Sequence, residues 1–225
     1  MTASTTVLTR PRADGRPRLR GLIHAAAVPV AIVAGLLLWD TADGSLPYRL
    51  PVLVFVLTLV GLYTVSSTYH LGPWNDRVRA LLARFDGAMI QLFIAGTFTP
   101  VAFYTLDGSW RQWSLVAAWA VAGVGAAIAV SPLTAPRWLG TAGYVAVGWL
   151  AVVPMTQIML ALPWEGIGLI ALGGVLYTLG AVVYAKRWPD PLPSFLGYHE
   201  VFHLFVVAAS VAHYLAIWRY VLPHG

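Results

Sequence analysis

Long apolar runs separated by short polar connections dominate the pattern of the chain. Seven runs have about the 20 residues that an α-helix needs to cross the hydrocarbon core of a bilayer. The connections between them are rich in proline, glycine and charged residues, as turns outside a membrane are. The pattern predicts an all-α, polytopic membrane protein with a seven-transmembrane helix bundle, whose spans are residues 21–39, 51–70, 84–105, 113–131, 140–161, 166–185 and 195–218.

The pattern changes before the first of these runs. Residues 1–20 contain five arginines, two prolines and no apolar run, so they predict a basic, disordered tail ahead of a transmembrane domain over 21–225. The first apolar run begins only at Gly21, whereas a cleavable signal peptide needs a hydrophobic segment near its start. Within the spans, Pro29 and Pro154 predict kinked helices.

Composition agrees with a protein that lies in a membrane. Hydrophobic residues make up 59% of the chain, charged residues make up 10%, and the mean hydropathy is +0.73, which is too apolar for a water-soluble domain of 225 residues. The absence of cysteine excludes disulfides, thiolate catalysis and cysteine-ligated zinc. A soft metal would therefore have to be bound by histidine.

The distribution of basic residues predicts the orientation of the spans. Eleven of the fourteen lysines and arginines fall in the tail and in the second, fourth and sixth connections, and three fall on the opposite side. Because positively charged flanks stay in the cytoplasm, we expect a cell-membrane protein with a cytoplasmic N-terminus and an external C-terminus. The basic residues flank spans and form no face with stacking aromatics, so the net charge of +5 does not indicate nucleic-acid binding.

Two acidic residues and several histidines interrupt the spans. Of the nine acidic residues, Asp86 and Glu200 lie inside spans, where a carboxylate is costly and calls for a reason. His70 ends the second span, Asp86 opens the third, and His199 and His203 lie in the first third of the seventh. Since alternate spans run in opposite directions, all of these groups are expected at the cytoplasmic end.

The spacing of these groups is typical of a metal site. His199 and His203 are four residues apart and share one helix face, where two imidazoles can bind one ion. His70 would add a third nitrogen, and three protein ligands with one open position are typical of catalytic zinc, although nickel or iron fits histidines almost as well. Asp86 could hold a bound water or orient a histidine, and Ser66, one helical turn before His70, could donate a hydrogen bond.

Each residue alone has a simpler interpretation. The histidine pair of the seventh span could be a hydrogen-bonded packing feature, and Asp86 could pair with Arg84 or Arg187. His70 could reach the lipid headgroups, and Ser66 could bond back to a helix carbonyl. Their convergence from three spans at one depth favours the metal site.

In combination the motifs resemble a known family. Ser66 and His70 with three residues between them, Asp86 ahead of the segment IAGTFTP, and the pair His199 and His203 are similar to the motifs of the hemolysin III proteins. Their relatives are the progestin and adipoQ receptors, including the adiponectin receptors, and the alkaline ceramidases share the three-part pattern. The resemblance implies a Zn²⁺ ion on the three histidines, with Asp86 and Ser66 around the bound water. It also implies lipid amide hydrolysis in at least some members.

The first span departs from that family. It opens with RGLIHAAA, without the acidic and asparagine residues that many bacterial members have there, so the role of His24 stays open. His213, ten residues after His203 and on another helix face, is expected to be a packing residue.

Three functions follow as hypotheses. The first is a zinc-dependent hydrolase of lipid amide or ester bonds, or a membrane-lipid homeostasis protein, with membrane lipids as substrate or ligand. The second is a non-enzymatic membrane sensor, regulator or cytolysin with a structural metal. The third is an intramembrane protease, because residues 199–203 read HEVFH, in which Glu200 would be the general base. In the third case His70 would have no role, which disfavours it.

Overall fold

The computed structural model describes residues 15, 17–42, 44–132 and 137–222, so most of the predicted tail lies outside the described residues. Within these ranges the regular elements are helices, apart from one isolated bridge between Leu192 and Leu196. A 3₁₀ turn follows the fifth helix and a π turn follows the last. The α-helices are α1 (Leu22–Thr41), α2 (Leu46–Leu71), α3 (Asp76–Thr105), α4 (Gly108–Val130), α5 (Arg137–Trp149), α6 (Met155–Ala161), α7 (Trp164–Lys186) and α8 (Tyr198–Ala216).

The helices confirm a polytopic, all-α membrane protein. Six of them are long and apolar enough to cross a bilayer by length and composition, and these are α1, α2, α3, α4, α7 and α8 with its π turn. Residues 143–161 form a bent pair, α5 with its 3₁₀ turn and α6, which meet at 52° and together make a seventh candidate span. The break falls at Pro154, where the sequence predicts a kink, because proline removes a backbone hydrogen bond and clashes with the preceding turn.

Three helices, α2, α3 and α4, begin five or more residues before the apolar runs that predicted them, and the starts of α2 and α3 have local explanations. α2 begins at Leu46 with Pro47 in its first turn, a position that proline favours because the amide there needs no partner within the helix. α3 begins at Asp76, and the Asn75 side chain caps it by accepting a hydrogen bond of 3.0 Å from the amide of Val78. Hydrophobicity alone could not mark these starts, because both added segments carry polar residues.

Neighbouring helices along the chain pack on each other, and α1 also packs on α8. The bundle is therefore closed by contact between its first and last helices. α3 contributes many buried residues and lies towards the centre, where it contacts α2, α4, α5 and α6. The core is apolar, and its most deeply buried side chains include Leu38, Val52, Phe55, Leu106, Ile158 and Ile217.

The segment before α1 is bonded to the segment before α8. The amide of Arg18 donates to the carbonyl of Ser194, and the amide of Leu19 donates to the carbonyl of Phe195, each over 3.1 Å. These backbone bonds tie the entry of the first helix to the entry of the last. They hold the starts of α1 and α8 together at the end of the bundle that carries the polar residues.

Candidate metal centre

Three histidine side chains meet between α2 and α8. His70 lies in the last turn of α2, and His199 and His203 lie in the first two turns of α8. One ring nitrogen from each falls within 4.8 Å of the other two, and His70 Nε2 is 3.0 Å from His199 Nε2. His70 and His203 are buried. The structure thus brings together the three residues that the sequence predicts as metal ligands.

The dimensions of this cluster fit a tetrahedrally coordinated metal. Zinc–nitrogen bonds of about 2.0–2.1 Å place two tetrahedral nitrogen ligands roughly 3.3 Å apart. The separation of 3.0 Å between His70 and His199 is close to that value, and the limit of 4.8 Å requires a small rotation of a side chain. Neutral imidazoles bind zinc, nickel, copper and iron, so the three histidines could hold a divalent metal ion, and the donor set does not select one of these metals.

A carboxyl group and a hydroxyl group flank the cluster. Asp86 reaches it from α3, and its Oδ2 lies 3.9 Å from His70 Nε2. The hydroxyl of Ser66 is buried and lies beside the Asp86 carboxyl group. The structure therefore brings Asp86 and Ser66 to the histidines. Among the described residues the Asp86 carboxylate faces His70. The simpler interpretation of the sequence had paired this carboxylate with Arg84 or Arg187.

Glu200 has a partner that the sequence analysis missed. Its side chain is fully buried, and one carboxylate oxygen forms an ion pair with Nε of Arg20, just before α1. The other oxygen accepts a hydrogen bond of 2.8 Å from the amide of Gly197 at the start of α8. A buried carboxylate needs a counter-charge, so the sequence indicates that Glu200 has a basic partner, but it does not indicate which basic residue that is.

This pairing bears on the protease hypothesis. In an H-E-x-x-H protease the glutamate acts as general base beside the metal. Here both oxygens of Glu200 are engaged, one by Arg20 and one by a backbone amide, at the point where α1 and α8 meet. The geometry disfavours that role for Glu200 and indicates that it anchors the first turn of α8.

His24 is a second residue whose place the sequence left open. It lies in the first turn of α1 and is 2% exposed, and neither ring nitrogen has a hydrogen-bond partner among the described residues. Its ring stacks on that of His203, with the centroids 3.9 Å apart and the planes 11° apart. No spacing pattern links a histidine at position 24 to one at position 203, so the sequence could not predict that these two rings are in contact.

Gly21 allows α1 to approach the cluster closely. Its φ of +80° lies in the left-handed region, and a Cβ at this position would come within 2.7 Å of the Cβ of His70. Glycine is therefore required here both by backbone conformation and by space. Its position immediately before α1 lets the first turn of that helix lie directly against the end of α2.

His213 packs away from the histidine cluster. Its Nδ1 lies 3.0 Å from the carbonyl of Ala209, one turn earlier on α8, and its ring stacks on Tyr177. A Cβ on Gly173 of α7 would come within 2.1 Å of the His213 ring. This histidine therefore fills a notch between α7 and α8, as the sequence predicts for a packing residue.

Comparison with known proteins agrees with the resemblance carried by these residues. A family model described as Haemolysin-III related matches residues 15–214. Hemolysin-3 of Bacillus cereus is 29% identical over 204 residues, which cover 90% of this chain and 89% of that protein. The monocyte to macrophage differentiation factor of Homo sapiens is 26% identical over 204 residues, covering 88% of this chain and 81% of its own.

A plant relative extends the match. The heptahelical transmembrane protein ADIPOR2 of Oryza sativa subsp. japonica is 27% identical over 194 residues, which cover 76% of this chain and 84% of that protein. The family-model match includes α1, α2, α3 and most of α8, and so the helices that carry the histidine cluster. The chain belongs to the haemolysin-III-related family of membrane proteins, within the progestin and adipoQ receptor superfamily.

Proposed function

We propose that this protein is a metal-dependent hydrolase that cleaves an amide or ester bond in a membrane lipid, with zinc as its metal. The observation that carries the proposal is the convergence of three imidazoles from two helices, with a carboxyl group 3.9 Å from one of them. Three protein ligands leave a coordination position open, as in catalytic zinc sites. A structural zinc site would be expected to include a fourth protein ligand.

The residues of the chain suit hydrolysis. Zinc on the three histidines would polarise a carbonyl oxygen and make water more acidic. The Asp86 carboxylate would take a proton from a water whose oxygen attacks the carbonyl carbon. It would then pass that proton to the leaving amine or alcohol as the carbon–nitrogen or carbon–oxygen bond breaks. The Ser66 hydroxyl beside Asp86 would donate a hydrogen bond that orients the carboxylate.

The depth of the site suits a lipid substrate. His70 lies one residue before the end of α2, and His199 and His203 lie within the first two turns of α8, roughly 11 Å of helix. If those helix ends mark the membrane surface, the cluster lies where the linkage between a lipid headgroup and its acyl chains lies. A water-soluble substrate would have to enter the bilayer to reach a site at that depth.

The orientation belongs to the same proposal. We propose that the protein lies in the cell membrane with its N-terminus in the cytoplasm, because eleven basic residues flank one side of the spans and three flank the other. The histidine cluster then lies near the inner leaflet, at the end of the bundle where Arg20 pairs with Glu200. Lipids of that leaflet would be the substrates.

Metal content tests the proposal most directly. Protein purified without chelator should carry about one zinc per chain, and His203→Ala should lose most of it, since two imidazoles bind zinc much more weakly than three. His213→Ala is the matched control, because it removes a buried histidine of the same helix that lies outside the cluster. Elemental analysis of the three preparations, joined to a mass-spectrometric screen for lipid turnover, makes the comparison. Wild-type protein without stoichiometric metal would contradict the proposal.

A second candidate function is a non-enzymatic one. The ligands come from both α2 and α8, so a metal bound there would cross-link two helices, which suits a membrane sensor or regulator with a structural metal. A related protein is named Hemolysin-3, and a cytolysin is therefore one form that a non-enzymatic function would take. Lipid turnover that is lost in Asp86→Ala supports the hydrolase, whereas dye leakage from vesicles that is unchanged in Asp86→Ala supports the cytolysin.

A further inference from the structure

We propose that His24 is a positioning residue for the metal centre, because its ring is stacked on His203 and fixes the plane in which His203 presents a nitrogen to the metal. The inference rests on the proposed metal site and adds to it a contribution from α1, a helix that supplies no ligand. The metal must lie close to the plane of a histidine ligand's ring, so a contact that fixes the ring in its metal-binding orientation raises metal affinity.

The His203 ring lacks the restraint that ligand histidines commonly have. Such a ring is usually oriented by a hydrogen bond from its second nitrogen to a carboxylate or a carbonyl. With Nε2 as the nitrogen offered to the metal, the second nitrogen of His203 is Nδ1, which is buried and has no hydrogen-bond partner in the part of the chain that the structure describes. The χ2 angle of histidine has a broad torsional preference, so the side chain itself does not fix the plane. The His24 ring, 3.9 Å away and within 11° of parallel, supplies that restraint.

The same geometry argues that His24 is not itself a ligand. The nitrogen lone pairs of an imidazole lie in the plane of its ring. Two nearly parallel rings 3.9 Å apart direct their lone pairs along two separate planes, which cannot converge on one ion. The group of nitrogens within 4.8 Å of one another accordingly consists of His70, His199 and His203.

His24 is held rigidly enough to serve this purpose. It is 2% exposed, and the Tyr63 ring of α2 lies 4.9 Å from it between centroids. One turn earlier, Gly21 brings the start of α1 against His70. Both nitrogens of His24 lack hydrogen-bond partners among the described residues, so its ring is held by packing and not by hydrogen bonds. The aromatic face of His24, and not its nitrogens, is therefore the feature that acts on His203.

This distinction can be tested with two substitutions of opposite character. His24→Phe keeps a planar ring and removes the nitrogens, whereas His24→Gln keeps a polar side chain and removes the ring. Zinc affinity would be measured on detergent-solubilised full-length protein by competition with a chelating dye. The absorption spectrum of the Co²⁺-loaded protein would report ligand geometry. His213→Gln is the matched control, because it alters a buried, stacked histidine of α8 outside the cluster.

We expect His24→Phe to bind zinc nearly as tightly as the wild type and to keep its Co²⁺ spectrum. His24→Gln should bind roughly 10- to 100-fold more weakly, the usual effect of losing a group that orients a ligand, and its Co²⁺ bands should shift. His213→Gln should leave both readouts unchanged. Thermal unfolding of each protein without metal separates loss of the fold from loss of binding, and His24→Phe supplies the comparison if the glutamine variant does not fold.

Other outcomes overturn the inference. If His24→Phe loses affinity as His24→Gln does, or more, the nitrogens matter and the stacking account is wrong. If both variants bind like the wild type, His24 has no positioning role. Wild-type protein that takes up no stoichiometric metal would instead refute the proposed function itself, so the two failures are distinguishable.

Discussion

The carboxyl group of Asp86 lies 3.9 Å from His70 Nε2, beyond direct hydrogen bonding but near enough to reach a water between them. That placement suits a group that moves a proton better than one that binds the metal. We expect Asp86→Asn to keep its zinc while its turnover of a lipid substrate falls by at least about 100-fold, the effect of losing a general base. Elemental analysis and turnover would be measured on one preparation.

The control for this prediction lies at the other end of α3. Asp107 is 99% exposed and pairs with Arg111 in the next helix, so Asp107→Asn should change neither metal content nor turnover. If Asp86→Asn retains full turnover, Asp86 is not the base. If it loses its zinc, Asp86 supports the metal ligands instead.

Ser66 and Ser67 provide a natural comparison on α2. Both are buried, but Ser66 lies beside Asp86, whereas the Ser67 hydroxyl donates to the carbonyl of Thr64 over 3.0 Å. Ser66→Ala should lower turnover about tenfold, because one hydrogen bond to a charged group contributes about 1.5 kcal/mol. Ser67→Ala should leave turnover unchanged. Equal turnover in the two variants, measured at saturating substrate, would remove Ser66 from the site.

At this scale the sequence predicted the residues that are costly in a membrane and share a spacing. His199 and His203 are four apart on one face, and Asp86 stands out as a carboxylate inside a span, so these could be identified without coordinates. The partnership of Arg20 with Glu200 and the stacking of His24 could not. Both join residues about 180 positions apart, and no local periodicity records such contacts.

Among the helices, α1 matters to the site although it provides no ligand. Its first turn carries the His24 ring, and Arg20 and Gly21 lie immediately before it. Removing one partner of the ion pair between Arg20 and Glu200 would leave a buried charge uncompensated, which typically costs about 3–5 kcal/mol. The segment before α1 therefore stabilises the turns of α8 from which two histidines of the cluster project.

The close approach of α1 to α2 gives a prediction for Gly21. Gly21→Ala would place a Cβ 2.7 Å from that of His70 at a φ of +80°, so α1 or the end of α2 must move. We expect a lower unfolding temperature and weaker zinc binding. Gly108→Ala is the control, because Gly108 also has a positive φ, +50°, but a Cβ there meets nothing within 4 Å. That variant should show backbone strain of about 1 kcal/mol and unchanged zinc affinity.

Thermal unfolding followed by chelator competition distinguishes the two glycines. If Gly21→Ala binds zinc as tightly as Gly108→Ala does, the contact with His70 does not govern the site.

The sequence gives no warning of this contact, because a glycine before a predicted helix is equally typical of an ordinary turn. The apolar runs located the helices well, but their starts at Leu46 and Asp76 depend on capping and turn geometry that hydrophobicity does not record.

For the whole molecule, the order of the helices explains why residues distant in sequence form one site. α2 ends where α3 and α8 begin, and contact between α1 and α8 closes the bundle. Alternation of the spans predicted this meeting, since it puts His70, Asp86 and the start of α8 on one side. Which helices touch could not be predicted, because lipid-facing and core-facing apolar residues look alike in sequence.

The orientation of the bundle is open to a direct test, because the chain contains no cysteine. Asp76 and Ser109 are exposed and lie at opposite ends of the region that α3 crosses, so single cysteines at these positions report opposite sides of the membrane. In intact cells a membrane-impermeant maleimide should label Ser109→Cys and spare Asp76→Cys, since the basic flanks keep the latter side in the cytoplasm. Permeabilised cells, in which both should react, control for accessibility. The opposite labelling pattern would place the histidine cluster at the outer leaflet and change the lipids available to it.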